Sequence, residues 1–254
     1  MLNIVTCFKW VIDEAYIKVG ASRELDLEWA DYKLSDYDRN AIEEAMRIAD
    51  IEGGTVTAVT VGSSDATKGI KDALSRGPEK AIFINDPAFA DLEPSQTASL
   101  LAEVIASRLQ YDLIICGEGS SDLYAQQVGP RLAELLDIPC IAFVSKLDIK
   151  ERQVIAERKM EDGIEVVTAP LPALVTVLPD INSPRIPGLK DTLGAAKKPV
   201  ISIGKEELTG MAKPHLETTA IEAATMERHC IKFNPDAEGI KQFVDALLKE
   251  GVMG

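Results

Sequence analysis

Between residues 2 and 145 the chain alternates short β-branched apolar runs with longer stretches of helical period, and no other feature restricts its fold as tightly. Residues 2–8 (LNIVTCF), 55–61 (TVTAVTV), 81–85 (AIFIN), 112–116 (DLIIC) and 140–145 read as buried strands. Residues 38–52 read as an amphipathic helix, with Ala41, Ile42, Ala45, Met46, Ile48 and Ala49 on or near one face and Gly53-Gly54 as its stop. Further helices are expected over 65–76, 95–109 and from about Gln126 to Leu136. Such alternation predicts an α/β fold with a doubly wound, mostly parallel sheet. Ligands of these sheets bind beyond the carboxyl ends of the strands, where the strand order reverses. The loops after Phe8, Val61, Asn85 and Cys116 are therefore the ones to follow.

The pattern changes after residue 150. Residues 152–159 and 164–168 flank Glu161-Asp162-Gly163, a hairpin turn signal. Residues 171–179 (LPALVTVLP) read as another buried strand. Over 180–199, Pro184, Pro187 and Pro199 discourage long regular structure, and 200–235 read as an extended arm. A last helix is expected over 236–249, with Ile240, Phe243, Val244, Ala246 and Leu247 on one face. The expected organisation is an α/β domain over 1–180 followed by an arm and helix over 181–254.

Charge and motif content narrow the chemistry. The net charge of −14 argues against a general nucleic-acid binder, although a local basic patch stays open. No apolar run of about 18 residues exists, so no membrane span is expected. The N-terminus lacks a secretory pattern, and the expected location is cytoplasmic. Cys7, Cys116, Cys140 and Cys230 are scattered, and the histidines are His215 and His229. The adjacent pair His229-Cys230 is poorly placed to chelate one ion, so no metal site is expected. No GxSxG, HExxH or P-loop lysine motif occurs. Any chemistry here would be carried by a bound cofactor.

The most informative segment is 112–136, DLIICGEGSSDLYAQQVGPRLAELL, where a buried strand empties into a small-residue loop before a helix. Small residues let a ligand approach the backbone, and the free N–H groups of a helix N-terminus favour phosphate. Gln126 and Gln127 can donate side-chain amides. Asp122 cannot help a phosphate directly and is assigned to the loop backbone or to a sugar hydroxyl. An ordinary strand-to-helix loop capped by Asp or Ser explains the same letters. Two more loops would meet this one at the sheet edge: Val61-Gly62-Ser63-Ser64, and Ser35-Asp36-Tyr37-Asp38 at the entrance of the first helix.

The segments NIVTCFKWVIDE, KLSDYDRNAIEEA, AVTVG, KDALSRGP, ICGEGSSDLYAQQVGP, LPALVTV and DINSPRIPGLKDTLGAAKKP occur in one order over about residues 1–205. In this the chain resembles the β subunit of electron transfer flavoproteins, closest to the type found in carnitine metabolism and anaerobic bifurcating complexes. The resemblance implies a fold like that of adenine-nucleotide α-hydrolases and an α subunit carrying the electron-transferring FAD. It implies a nucleotide site in the β subunit that holds either AMP or a second FAD. The implied contacts are Cys7, then Ser35, Asp36, Tyr37 and Asp38, then Val61 and Gly62. They continue with Gly117, Glu118, Gly119, Ser120, Ser121, Asp122, Leu123, Tyr124, Ala125, Gln126, Gln127 and Val128, the last three at the phosphates.

AMP-binding relatives tend to carry acidic residues and Asn or Thr where this chain has Leu123, Tyr124, Ala125 and Val128. Bifurcating relatives carry the ending seen here as Gln127-Val128-Gly129-Pro130, which tilts the expectation to FAD, with NAD(H) as substrate. Tyr124 could stack on an aromatic ring system, or simply pack the helix entry. Residues 183–197 match the family's recognition loop, with Leu189 in the place of its anchoring leucine and Arg185 and Pro187 beside it. The implied partners are the α subunit, an acyl-CoA or hydroxy-acid flavin dehydrogenase and, as an acceptor, ferredoxin. Two other functions stay in view: a non-bifurcating carrier subunit holding structural AMP, and a stand-alone nucleotide-binding signalling protein. The long segment after residue 180 speaks against the last.

Overall fold

The computed structural model describes residues 1–209, 213–216, 218–224 and 230–252. The chain divides into two units, Met1–Lys18 with Asp26–Thr219, and Val19–Leu25 with Ala220–Gly254.

The first unit is built on one nine-stranded sheet. Its strands are β1 (Leu2–Cys7), β2 (Gly54–Gly62), β3 (Lys80–Asn85), β4 (Leu113–Gly117) and β5 (Cys140–Lys150). They continue with β6 (Gln153–Met160), β7 (Gly163–Pro170), β8 (Ala173–Val177) and β9 (Val200–Ile203). The spatial order is β7-β6-β5-β8-β4-β1-β2-β3-β9. All neighbours are parallel except those made by β6, which runs antiparallel to both β5 and β7. From β1 the chain moves outward through β2 and β3 and then returns to place β4 on the other side of β1. The reversal of order, where such sheets hold ligands, lies between β1 and β4.

Helices cover both faces, as the sequence pattern predicts. They are α1 (Asp36–Glu52), α2 (Thr67–Ser75), α3 (Pro94–Arg108), α4 (Val128–Leu135) and α5 (Leu189–Ala195). The two-residue period of the strands sorts their side chains. Leu2, Ile4, Leu113 and Ile115 pack with Ala41, Ala45 and Ile48 of α1. Val5, Cys7, Ile114 and Cys116 pack with Leu101 and Ile105 of α3 and Leu132 of α4. With both faces buried, these strands read as continuous apolar runs rather than alternating ones.

Three elements differ from the sequence expectation. The segment over 180–199 contains α5, because the prolines flank the helix and Asp191 Oδ2 accepts the Gly188 N–H at 3.0 Å to start it. Residues 200–203, expected within an extended arm, form β9 against β3. This edge strand is too short and too exposed to show a period. The fifth strand continues to Lys150 and joins the hairpin directly. In the long connection from β1 to α1, Trp10–Ile12 pairs antiparallel with Tyr32–Leu34.

In the second unit, α6 (Ala237–Lys249) matches the expected last helix, and Asp236 Oδ1 accepts the Gly239 N–H at 2.7 Å to cap it. Phe233 meets Phe243 edge-on at 5.5 Å, and Arg23 pairs with Glu222 at 3.0 Å.

Candidate functional site

The loops leaving β1 and β4 are bound together by side chains that start α1. The Lys9 N–H donates to Asp38 Oδ2 at 2.8 Å, and the Gly117 N–H also donates to the Asp38 carboxylate. One buried carboxylate therefore gathers the exits of both strands at the reversal point. Gly117 must be small for this to happen. A Cβ there would lie 2.7 Å from Asp38 Oδ1 and 2.9 Å from the Tyr37 carbonyl carbon.

Ser35 and Ser121 form a second tie. Ser35 is fully buried and precedes α1, yet its hydroxyl caps nothing in its own helix. It accepts the Ser121 N–H at 3.3 Å, while Ser121 Oγ accepts the Asp36 N–H at 2.9 Å. The cap of α1 is thus supplied from the β4 loop. A third tie is the ion pair from Lys9 Nζ to Asp122 Oδ2 at 2.6 Å. Asp122 Oδ1 also accepts from Ser120 Oγ at 2.5 Å and from the Leu123 N–H at 2.8 Å. Of the two roles foreseen for Asp122, its bonds match the one within the loop.

Beyond Asp122 the loop turns on two left-handed residues, Tyr124 at φ 46° and Gln126 at φ 57°. Neither is glycine, so the backbone stores strain of about 1–3 kcal/mol per residue. The Tyr124 hydroxyl donates to Glu118, and its ring meets Tyr37 at 5.2 Å with a 38° tilt. Gln127 precedes α4 and accepts from Arg131 Nε at 3.1 Å through Oε1, leaving its NH2 to donate. Val128 and Gly129 open α4, so their N–H groups have no partner within the helix.

Burial sets the charges. It pushes the Asp38 carboxyl up to about 7, against the Lys9 and Gly117 N–H groups and the Lys9 charge, with Asp122 adding to the rise. Burial also raises Glu118, outweighing the Tyr124 hydrogen bond, and Asp180 adds to it. At Asp122 burial acts in the same direction, but the Lys9 charge and the surrounding hydrogen bonds win and the carboxyl sits below its usual range. The bond to Glu118, then burial, push the Tyr124 hydroxyl up to about 12.

The family model of the electron transfer flavoprotein domain matches residues 27–208. The chain belongs to that family. Within this electron transfer flavoprotein domain the structure brings Ser35, Asp36, Tyr37 and Asp38 against Gly117, Ser121 and Tyr124, with Glu118, Gly119, Ser120 and Asp122 bonded or packed within the same loop or to Lys9. Val61 and Gly62 end the neighbouring strand β2. Leu123 is exposed, and Ala125, Gln126, Gln127 and Val128 lead into α4. Cys7 is buried at the end of β1, packed in one cluster with Cys116 and residues of α3 and α4. Leu189 is 78% exposed on α5, and Pro187 is half-buried just before it. Arg185 is engaged inside the chain, with Nε 2.7 Å from Glu43 Oε2. His229 lies outside the described residues, and His215 and Cys230 are exposed. Sequence reasoning missed Lys9. Its signal was present as a cation directly after the first strand, ahead of a loop that carries Asp122. Among the described residues, no helix is long and apolar enough to cross a membrane.

Proposed function

We propose that this chain is the β subunit of an electron transfer flavoprotein. In this reading it pairs with an FAD-bearing α subunit and holds a second FAD at the mouth between β1 and β4. The complex is electron-bifurcating and cytoplasmic, exchanging electrons among NAD(H), an acyl-CoA or hydroxy-acid flavin dehydrogenase, and ferredoxin. Residues 1–180 hold the nucleotide, and residues 181–254 face the partner subunits.

The observation that carries this reading is the set of donors that the mouth offers at the start of α4. The free N–H groups of Val128 and Gly129, with the NH2 of Gln127, suit a pyrophosphate. The acids at the start of α1 are engaged within the chain, Asp36 with Lys33 at 2.9 Å and Arg39 at 2.8 Å and buried Asp38 with the Lys9 N–H at 2.8 Å. The Asp38 carboxyl is raised to about 7 by burial, and the Asp122 charge is matched by Lys9, so fewer bare charges oppose a phosphate. When bound, FAD supplies two-electron exchange with NAD(H) and single-electron exchange onward. The chain's residues would bind it, fix its orientation and set the charge around it.

The test is the flavin content of the heterodimer, read by absorbance after denaturation. Two flavins per heterodimer are expected. One flavin with one AMP would replace this reading by the structural-nucleotide subunit. Stable nucleotide binding by the chain alone would favour a stand-alone protein. Gln127→Ala is expected to weaken the nucleotide about tenfold by removing a phosphate donor, and an unchanged Kd would remove Gln127 from the site.

A further inference from the structure

The segment from 179 to 198 presents three strongly exposed apolar side chains, Ile186, Leu189 and Leu193, at 93%, 78% and 63% exposure. A segment with so little of its apolar surface packed gains little from burial. This one is fastened by polar contacts along its length instead.

At its start, Asn40 Nδ2 lies 2.9 Å from the carbonyl oxygens of both Pro179 and Asn182. Asn182 Nδ2 returns bonds of 3.1 Å to the Asn40 carbonyl and to Glu44 Oε2. Glu44 is fully buried and is held by Arg47, whose guanidinium also donates to the Leu147 carbonyl at 2.7 Å. Arg185 then gives Glu43 its backbone N–H at 3.0 Å and its Nε and Nη2 at 2.7 and 3.0 Å. Arg76 Nη1 donates to the Arg185 carbonyl at 3.0 Å. At the far end, Lys198 Nζ donates to the carbonyls of Leu74 and Gly77, each at 2.8 Å. Every one of these anchors lies on α1, on α2 or directly after α2. Buried polar groups with all partners in place favour one geometry over its alternatives.

We propose that Asn40 and Glu43 of α1 are positioning residues for partner docking, holding Asn182 and Arg185 so that Ile186, Leu189 and Leu193 are presented in a shape ordered before contact. This rests on the reading of residues 183–197 as the surface that meets a flavin dehydrogenase. The occupant is a protein with an apolar pocket, because the presented side chains are aliphatic and the cation before them, Arg185, is already paired with Glu43 within the chain. Ordering the segment in advance removes a cost that a loose loop would meet at association. Arg185 on this account acts through Glu43 and not on the partner.

The experiment uses the heterodimer with Glu43→Gln, Asn182→Ala, Leu189→Ala, and the exchange Glu43→Arg with Arg185→Glu. Amide hydrogen exchange over 183–198 is expected to quicken about tenfold in the first two variants, to stay slow in Leu189→Ala, and to recover in the charge exchange. Electron transfer is then measured with the acyl-CoA or hydroxy-acid dehydrogenase that reduces the wild-type heterodimer fastest. Glu43→Gln and Asn182→Ala are expected to raise the KM for that dehydrogenase about fivefold, with kcat and flavin content unchanged. Unchanged exchange in Glu43→Gln and Asn182→Ala, or an unchanged KM beside faster exchange, overturns the positioning role. A dehydrogenase that reduces Leu189→Ala as well as wild type, or the absence of any that reduces wild type, overturns the docking surface itself.

Discussion

The two ends of the same parallel strands are finished in different ways. At the amino ends, connections are short and backbone-led: Leu2 N–H meets the Gly53 carbonyl at 3.0 Å, and Asp112 N–H meets the Asn3 carbonyl at 2.8 Å. A cavity of about 230 Å³ there is lined by Asn3, Thr55, Thr57, Lys80, Arg108 and Gln110 among others. At the same end, Asp112 is engaged by the Asn3 N–H and by Arg152. At the carboxyl ends the connections are long, and side chains carry them: Asp38, Ser35, Ser121, Lys9 and Asp122 tie three segments together. The amino end closes the sheet. The carboxyl end uses polar groups and strained backbone to shape a mouth.

The sharpest way to break this contrast is pH. Asp38 is raised from 3.8 to about 7 in the folded chain. The folded state then binds the proton more tightly than the unfolded one. The associated stability is full below about pH 4 and is lost as pH rises through 7, on the order of 4 kcal/mol. The stability gap between wild type and Asp38→Asn, from urea midpoints, should therefore narrow over that window. At the amino end the sign reverses. Burial would raise Asp112, but its bonds from Asn3 and the Arg152 guanidinium lower it. Its contribution is present above the unfolded value and lost as pH falls through the folded one. Gaps that change with pH in the same direction for Asp38→Asn and Asp112→Asn would erase the distinction.

Glycine substitutions come next. Gly117→Ala should cost about 1–3 kcal/mol, because the new Cβ meets backbone, and it should weaken nucleotide binding. Gly53→Ala at φ 71° has open space around it and should cost about 1 kcal/mol through conformation alone, with binding intact. Equal loss of binding in both would mean that the mouth responds to general destabilisation.

Tyr124→Phe removes the donor to buried Glu118 and should cost about 1 kcal/mol. Without that donor the Glu118 carboxyl should rise further, which its chemical-shift titration would show. The smallest effect belongs to the ion pairs. Lys9→Met and Arg152→Met should each cost at most about 1 kcal/mol. Only Lys9→Met should change the nucleotide Kd, and matched Kd values would place Lys9 outside the site.

Much of this was legible in the letters. Strands β1, β2, β3 and β4 emerge within about two residues of their observed ends, because burial on both faces leaves uninterrupted apolar runs. The loop after β4 stood out by its glycines and serines. The edge strand β9 escaped because its 4 residues are fewer than the window a period needs. Lys9 escaped for another reason, since its partner Asp122 is 113 residues away. Asn40 and Asn182, 142 residues apart, are equally silent when read singly.

The order of amino acids alone settled that this chain makes a covered parallel sheet and that a small-residue loop enters α4, since periodicity and residue size act over neighbouring positions. The placement of β8 between β5 and β4, the gathering of two strand exits on Asp38, and the protonation of that acid near neutrality were decided by the folded whole. Strand neighbours and solvent exclusion depend on contacts between distant segments, and no local pattern encodes them.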